Sequence, residues 1–221
     1  MKFNSDLIAI LQNFSSINPS MVFKKGHTVS TISPMKSIVA KATSPVEFES
    51  TFGIFALGQF LNTLSLFDDP ELTPQVRLML IEGSKNGEEV TFPFSEPALI
   101  IQPPEKDIVF PEADVTFKLA NDTLKQALKA ASVIGSSQLA ITGDGTTVRL
   151  EGIDVKNPSS NSYKIIVGET TKKFRVIYQL ENLLVMPRDY DVQISSKGLS
   201  HFKATDIEYW IAIDAKSTFE A

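Results

Sequence analysis

A chain of 221 residues with 43% hydrophobic and 21% charged side chains has the make-up of a globular protein, with material for one large core or two modest ones. It contains no cysteine, which excludes disulfides, thiolate chemistry and zinc–cysteine sites and suits a reducing cytoplasm; no apolar run nears the about 20 residues of a membrane span. The formal net charge of −5 argues against indiscriminate binding to nucleic acid, although cations gathered on one surface would still serve it.

The first six residues, Met1-Lys2-Phe3-Asn4-Ser5-Asp6, lack the apolar stretch of a signal peptide, so no leader is expected. Asn4 or Ser5 is placed to cap a helix over 5–14, where Leu7, Ile10, Leu11 and Phe14 hold the i, i+3, i+4, i+7 spacing of one face; Ile17-Asn18-Pro19 stops it. Strands are predicted over 21–23 and 28–32, joined as a hairpin at Lys24-Lys25-Gly26-His27, then over 38–42 and 46–54. Leu57, Phe60, Leu61 and Leu64 mark a helix over 56–67, ended by Asp68-Asp69-Pro70. Strands over 76–81 and 90–94 flank the Ser84-Lys85-Asn86-Gly87 turn, and a further strand is predicted over 98–101.

Pro97, Pro103, Pro104 and Pro111 stiffen the stretch that follows, the best linker candidate, while Ile108-Val109-Phe110 is too apolar for a purely solvated tether. The predicted domains are 1–107, with 8 basic against 12 acidic residues, and 108–221, with 13 against 14. In the second, Asn121 or Asp122 starts a helix over 122–134 that Gly135 ends. Strands over 139–142 and 147–151 flank the tight Gly143-Asp144-Gly145 turn, and strands over 162–167 and 173–178 lead to a short helix over 180–185 before Pro187. Strands over 190–194, 199–203 and 207–213 close an α+β fold of antiparallel sheets.

The order of parts repeats. Ile54-Phe55-Ala56-Leu57-Gly58-Gln59-Phe60-Leu61 is echoed by Ile177-Tyr178-Gln179-Leu180-Glu181-Asn182-Leu183-Leu184, and the Leu7, Ile10, Leu11, Phe14 face by Leu124, Ala127, Leu128 and Ala131. A duplicated unit without a visible catalytic centre suits a geometric task, such as building a curve from equal arcs.

Candidate chemistry is sparse. His27 reads as a turn residue and His201 as an exposed strand residue, neither in a metal-ligand cluster of recognisable spacing. The Gly143 to Thr147 run lacks the Lys-Ser/Thr ending and following helix of a phosphate loop, and Asp68-Asp69 reads as a solvated helix end. No triad or carboxylate pair can be named, so no enzyme, metal or cofactor is expected. Lys125 and Lys129 lie four apart on an exposed helix side, with Lys118 just before that helix and Arg188 after the short one. These four form either a stripe for phosphates or ordinary solubilising charge, and nothing beside them suits base reading.

From Leu11-Gln12-Asn13-Phe14-Ser15-Ser16-Ile17-Asn18 through the linker's Val109-Phe110-Pro111 and Met186-Pro187-Arg188-Asp189-Tyr190 to Tyr209-Trp210-Ile211-Ala212-Ile213-Asp214-Ala215-Lys216-Ser217-Thr218, the chain resembles a known family from end to end. It resembles the DNA polymerase sliding clamps of large tailed bacteriophages, processivity factors distantly related to proliferating cell nuclear antigen. The resemblance implies a DNA-clamp fold of two similar domains, each with two helices packed on antiparallel sheets, assembling as a homotrimeric ring. It implies enclosure of double-stranded DNA without regard to sequence, loading by an ATP-driven clamp loader, and tethering of the replicative polymerase through its C-terminal peptide. It also implies viral DNA replication in the host cell cytoplasm and, as in related phages, mobile activation of late transcription.

Carried over by position, the helices over 5–14, 56–67, 122–134 and 180–185 would line the hole, with Lys2, Lys118, Lys125, Lys129 and Arg188 toward DNA. The first two of those helices contain no Lys or Arg, so most attraction is expected from the second domain. Ile108, Phe110 and Trp210, with His27 at the rim, are the implied partner-peptide pocket; Trp210 reads equally as a core residue of an edge strand. Ala98, Leu99 and Ile100 against Tyr163, Ile165 and Val167 are the expected subunit interface. An alternative of another class is a phage structural or adaptor protein that uses the duplicated fold for protein contacts alone.

Overall fold

Asn4 starts the first helix: its Oδ1 accepts from Leu7 N at 2.9 Å in a computed structural model that describes residues 1–157 and 159–220. Helix α1 (Ser5–Ile17) buries Leu7, Ile10, Leu11, Phe14 and Ile17, running past the predicted end because Asn18 N still reaches Phe14 O at 2.9 Å before Pro19 breaks the pattern. The chain divides into two compact units, Met1–Glu105 and Lys106–Ala221.

In the first unit, β1 (Met21–Phe23) is followed by β2 (Gly26–Ile32), β3 (Ile38–Phe48) and β4 (Phe52–Ile54). The predicted hairpin of β1 with β2 is not what forms. β1 pairs antiparallel with β4, Phe23 opposite Phe52, and β2 pairs with β3. Ring packing explains the choice: Phe23 stacks on Phe52 with centroids 4.9 Å apart, Phe52 on Phe94 at 4.6 Å, and Phe48 tilts against Phe23 at 5.1 Å. Gly26, at φ +111°, turns the chain out of β1.

Helix α2 (Leu57–Leu64) buries Leu57, Phe60, Leu61 and Leu64 and ends before the predicted Phe67, because Leu66 and Phe67 bond back only three residues. Then β5 (Glu71–Pro74), β6 (Leu78–Glu82) and β7 (Glu89–Pro93) form an antiparallel meander. Asn86 and Gly87 have positive φ in the predicted turn between β6 and β7. The strand expected over 98–101 is a correction: Pro97–Leu99 is a 3-10 turn, as Pro97 lacks the N–H a ladder needs and Leu99 and Ile100 amides close onto Glu96 and Pro97 carbonyls.

The second unit opens with β8 (Val115–Leu119) and α3 (Asn121–Val133), then β9 (Gln138–Asp144), β10 (Thr147–Ile153), β11 (Tyr163–Glu169) and β12 (Lys173–Gln179). After a 3-10 helix at Leu180–Asn182 come β13 (Tyr190–Ser195), β14 (Leu199–Lys203), β15 (Ile207–Ala212) and β16 (Thr218–Phe219). One antiparallel sheet runs β15–β14–β13–β8 and the other β11–β10–β9–β12–β16. The second helix of this unit is shorter than the predicted 180–185. Met186 N instead donates to the Tyr209 hydroxyl at 3.1 Å, and Tyr190 Oη donates to Met186 O at 2.6 Å, so side chains satisfy backbone groups that a longer helix would have used.

Helix α3 lies close on β10 because its packed face is small, Ala127 and Ala131 being fully buried; a Cβ on Gly152 would sit 3.2 Å from Ala131 Cβ. Neither Asn121 nor Asp122 caps it. Its N-cap position is Ala120, and Asp189 at the start of β13 accepts from Asn121 N at 2.7 Å in the role of the missing cap. Gly135, at φ +69°, ends the helix as the sequence predicts.

Candidate nucleic-acid and partner interfaces

The packing of α3 decides where its cations point. With Leu124, Ala127 and Ala131 against the sheet, the opposite face exposes Asp122, Lys125, Gln126 and Lys129. Neither Lys125 nor Lys129 enters an ion pair among the described residues. Their charge is open to solvent and to any polyanion that approaches this face.

The other predicted cations stand differently. Lys118 is exposed on β8, opposite Asp191, and Asp191 faces Lys203, which faces Glu208, so Lys118 sits in a row of alternating charge across four strands. Arg188 forks onto Asp206, with Nη2 3.0 Å and Nε 3.2 Å from Asp206 Oδ2, and gives Nη1 to its neighbour Pro187 O. Lys2, in the first unit, is paired with Asp69, whose hydrogen bond raises its pKa. Both α1 and α2 expose uncharged polar groups, Gln12, Ser16, Gln59 and Asn62.

The predicted pocket residues divide as well. Trp210 on β15 lies opposite His201 on β14, their rings stacked 4.8 Å apart and 7° from parallel; the Phe110 ring sits 5.8 Å from that of His201. Ile108 is half-buried, and Val109 beside it is 88% exposed. Trp210 is 8% exposed, and its Nε1 has no hydrogen-bond partner among the described residues. His27 belongs to the first unit, in an irregularity of the β2–β3 pairing, with Nδ1 3.2 Å from Ser44 O and Nε2 3.8 Å from Glu47.

His201 is the residue that sequence reading missed, since it is buried and not exposed on its strand. Its Nε2 lies 3.0 Å from Glu208, and burial lowers its pKa against the opposing influence of that carboxylate. The predicted strand ends gave the wrong neighbour: counting outward from 203 and 207 sets His201 across from Tyr209, whereas the structure pairs Lys203 with Glu208 and so brings His201 opposite Trp210, and cross-strand neighbours on one face pack together.

Of the expected interface, Tyr163, Ile165 and Val167 are half-buried on β11, which is the outer strand of its sheet and pairs only with β10 among the described residues. Ile166 on the same strand is 59% exposed. Ala98, Leu99 and Ile100 offer no strand to match it: Ala98 and Leu99 lie exposed on the 3-10 turn, and Ile100 is buried within its own unit. Among the described residues no group of His, Asp or Glu is arranged to hold a metal, and no helix is long and apolar enough to cross a membrane.

Known proteins share this sequence and fold. The family described as "gp45 sliding clamp, C terminal" matches residues 116–215. The sliding clamp of Vibrio phage KVP40 is 30% identical over 222 residues, covering 97% of this chain and 100% of that protein. The solved structure of PCNA from Thermococcus kodakaraensis matches with a TM-score of 0.70 at 17% identity, over 97% of this chain and 99% of its own. A. fulgidus PCNA bound to the C-terminal region of FEN-1 also gives 0.70, at 14% identity and 96% of each chain. The two structural matches speak for the DNA-clamp fold, and the phage relative, similar over its full length, shows that the chain belongs to the phage sliding clamp family.

Proposed function

We propose that copies of this chain close as a homotrimer around duplex DNA and tether the replicative polymerase during viral DNA replication, without catalysis or cofactor. The observation that carries this reading is the unpaired Lys125 and Lys129 face of α3, opposite its packed alanines. A ring retains DNA by enclosure, so its inner contacts with phosphate can be few, weak and blind to sequence, as sliding requires. The net charge of −5 disfavours DNA on the outside. Lys118 stands opposite Asp191 on the sheet face that also carries His201, so it adds to that surface and not to the α3 face, while Lys2 and Arg188, each held by a carboxylate, contribute little. The two clamp domains span 1–107 and 108–221.

For the subunit contact, the outer strand β11 with Tyr163, Ile165 and Val167 needs an open edge on the neighbouring copy, and β7 is the last strand of its meander. Such a head-to-tail contact closes into a ring when its rotation permits, and it covers edges that otherwise invite aggregation. The His201–Trp210 stack, on which the Ile108 and Phe110 stretch is laid, would be where the polymerase C-terminal peptide docks, much as A. fulgidus PCNA holds a C-terminal region of FEN-1. An ATP-driven loader would open the ring in the host cytoplasm, and the loaded ring would also activate late transcription.

Retention on circular but not linearised plasmid, after loading, tests enclosure; equal retention on both would replace the clamp reading with that of an adaptor. Substituting both Lys125→Glu and Lys129→Glu should impair loading and processive synthesis while the trimer mass stays the same. Unchanged processivity would remove α3 from the channel.

A further inference from the structure

We propose that Phe110 is a built-in plug on the His201–Trp210 stack, occupying it until the aromatic side chain of a partner peptide takes its place. This rests on the reading of that surface as the peptide site. The platform is rigid: Trp210 and His201 are cross-strand neighbours in a regular ladder, stacked at 4.8 Å, and Glu208 fixes the imidazole through Nε2 at 3.0 Å. The plug is not. Phe110 lies in residues 106–113, which form neither helix nor strand, so no ladder has to be broken for it to leave. Val109 is 88% exposed while Ile108 and Phe110 on either side are half-buried, the alternation of an extended strap laid on a surface. Pro111 disfavours a helical backbone at Phe110 and so holds it in that extended form.

The closed arrangement is also incomplete. Trp210 is 8% exposed, yet its Nε1–H has no acceptor among the described residues. A phenylalanine side chain offers none, whereas a peptide brings a carbonyl oxygen with every residue. The favoured occupant therefore has an aromatic side chain to replace the Phe110 ring and a backbone carbonyl for the indole. Its apparent affinity is reduced by the fraction of molecules in which Phe110 is seated.

Trp210 is the chain's single tryptophan, so its emission reports this site alone. In the full-length protein without peptide, Phe110→Ala should raise acrylamide quenching of Trp210, and Phe110→Leu should raise it less. A synthetic peptide carrying the C-terminal residues of the cognate polymerase should then bind Phe110→Ala about 3- to 10-fold more tightly than wild type, with faster association, the range expected for removing one competing aromatic pair. Unchanged quenching, or a peptide that alters Trp210 emission but binds the variant no better, overturns the plug and leaves the peptide site standing. If the peptide changes Trp210 emission in neither protein, the peptide-site reading fails and the plug with it.

Discussion

His201 carries a pH dependence that follows from its surroundings. Burial holds the imidazole below its ordinary 6.5, with Glu208 opposing the shift and Lys203 adding to it. The unfolded chain takes up that proton near 6.5, whereas the folded ring stays neutral to lower pH. The stability gained is thus complete above 6.5 and is lost as pH falls through that value toward the folded pKa. Urea unfolding compared at pH 7 and pH 5 should show a larger loss for wild type than for His201→Gln; equal losses would mean that the ring titrates as it does in water. Asp144 behaves in the same sense at lower pH. Amide hydrogen bonds from Thr147 and Thr146 bring its pKa to about 2, with Arg149 assisting, so its contribution to the hairpin is lost only as pH drops below 3.8. The Asp144 turn is local and can be read in the sequence, whereas the burial of His201 depends on which strand lies beside it.

Helix α3 is the element on which the functional reading turns, and it is held at both ends by different means. Gly135 ends it from within the sequence, but its start is secured by Asp189, a carboxylate 68 residues away in the chain that the pairing of β13 with β8 brings beside it. Asp189→Ala should lower stability by about 0.5–2 kcal/mol, the usual value of a lost cap, measured by thermal unfolding. Gly152→Val tests the seat of the helix: with Ala131 Cβ 3.2 Å and Ala131 Cα 3.3 Å from the added Cβ, the helix must move off β10 at a cost of roughly 1–3 kcal/mol. The faces of α1, α2 and α3 were legible because residues three and four apart decide them. The pairing of β1 with β4 was not, since the Phe23, Phe52 and Phe94 rings that select it lie far apart in the chain. The 98–101 stretch misled because its apolar residues suit a strand while Pro97 and the turn it starts do not.

At the scale of the whole molecule the two units differ in charge, 7 basic against 11 acidic residues in 1–105 and 14 against 15 in 106–221. The polar faces of α1 and α2 agree with that difference, and a ring of such chains would attract DNA mainly through its second units. Replacing both lysines on α3 with alanine should reduce the salt slope of DNA binding by about 2 per protomer, one for each phosphate that is no longer neutralised. Assembly is tested at β11. Ile166→Glu places a charge on an outer strand and should raise the dissociation constant of the trimer at least about tenfold, read by analytical ultracentrifugation, with the monomer still folded. An unchanged constant would direct the subunit contact to another edge.

Apolar spacing and turn residues were enough to determine helices α1, α2 and α3 and most hairpins, because each depends on neighbours within a few positions, and the family was visible as a resemblance of the chain read end to end. Only the tertiary structure decided that Arg188 is held by Asp206, that Asp189 caps α3, and that His201 joins Phe110 and Trp210. In each of these a polar or aromatic side chain had several chemically equivalent partners in the sequence, and only packing brought one of them within reach.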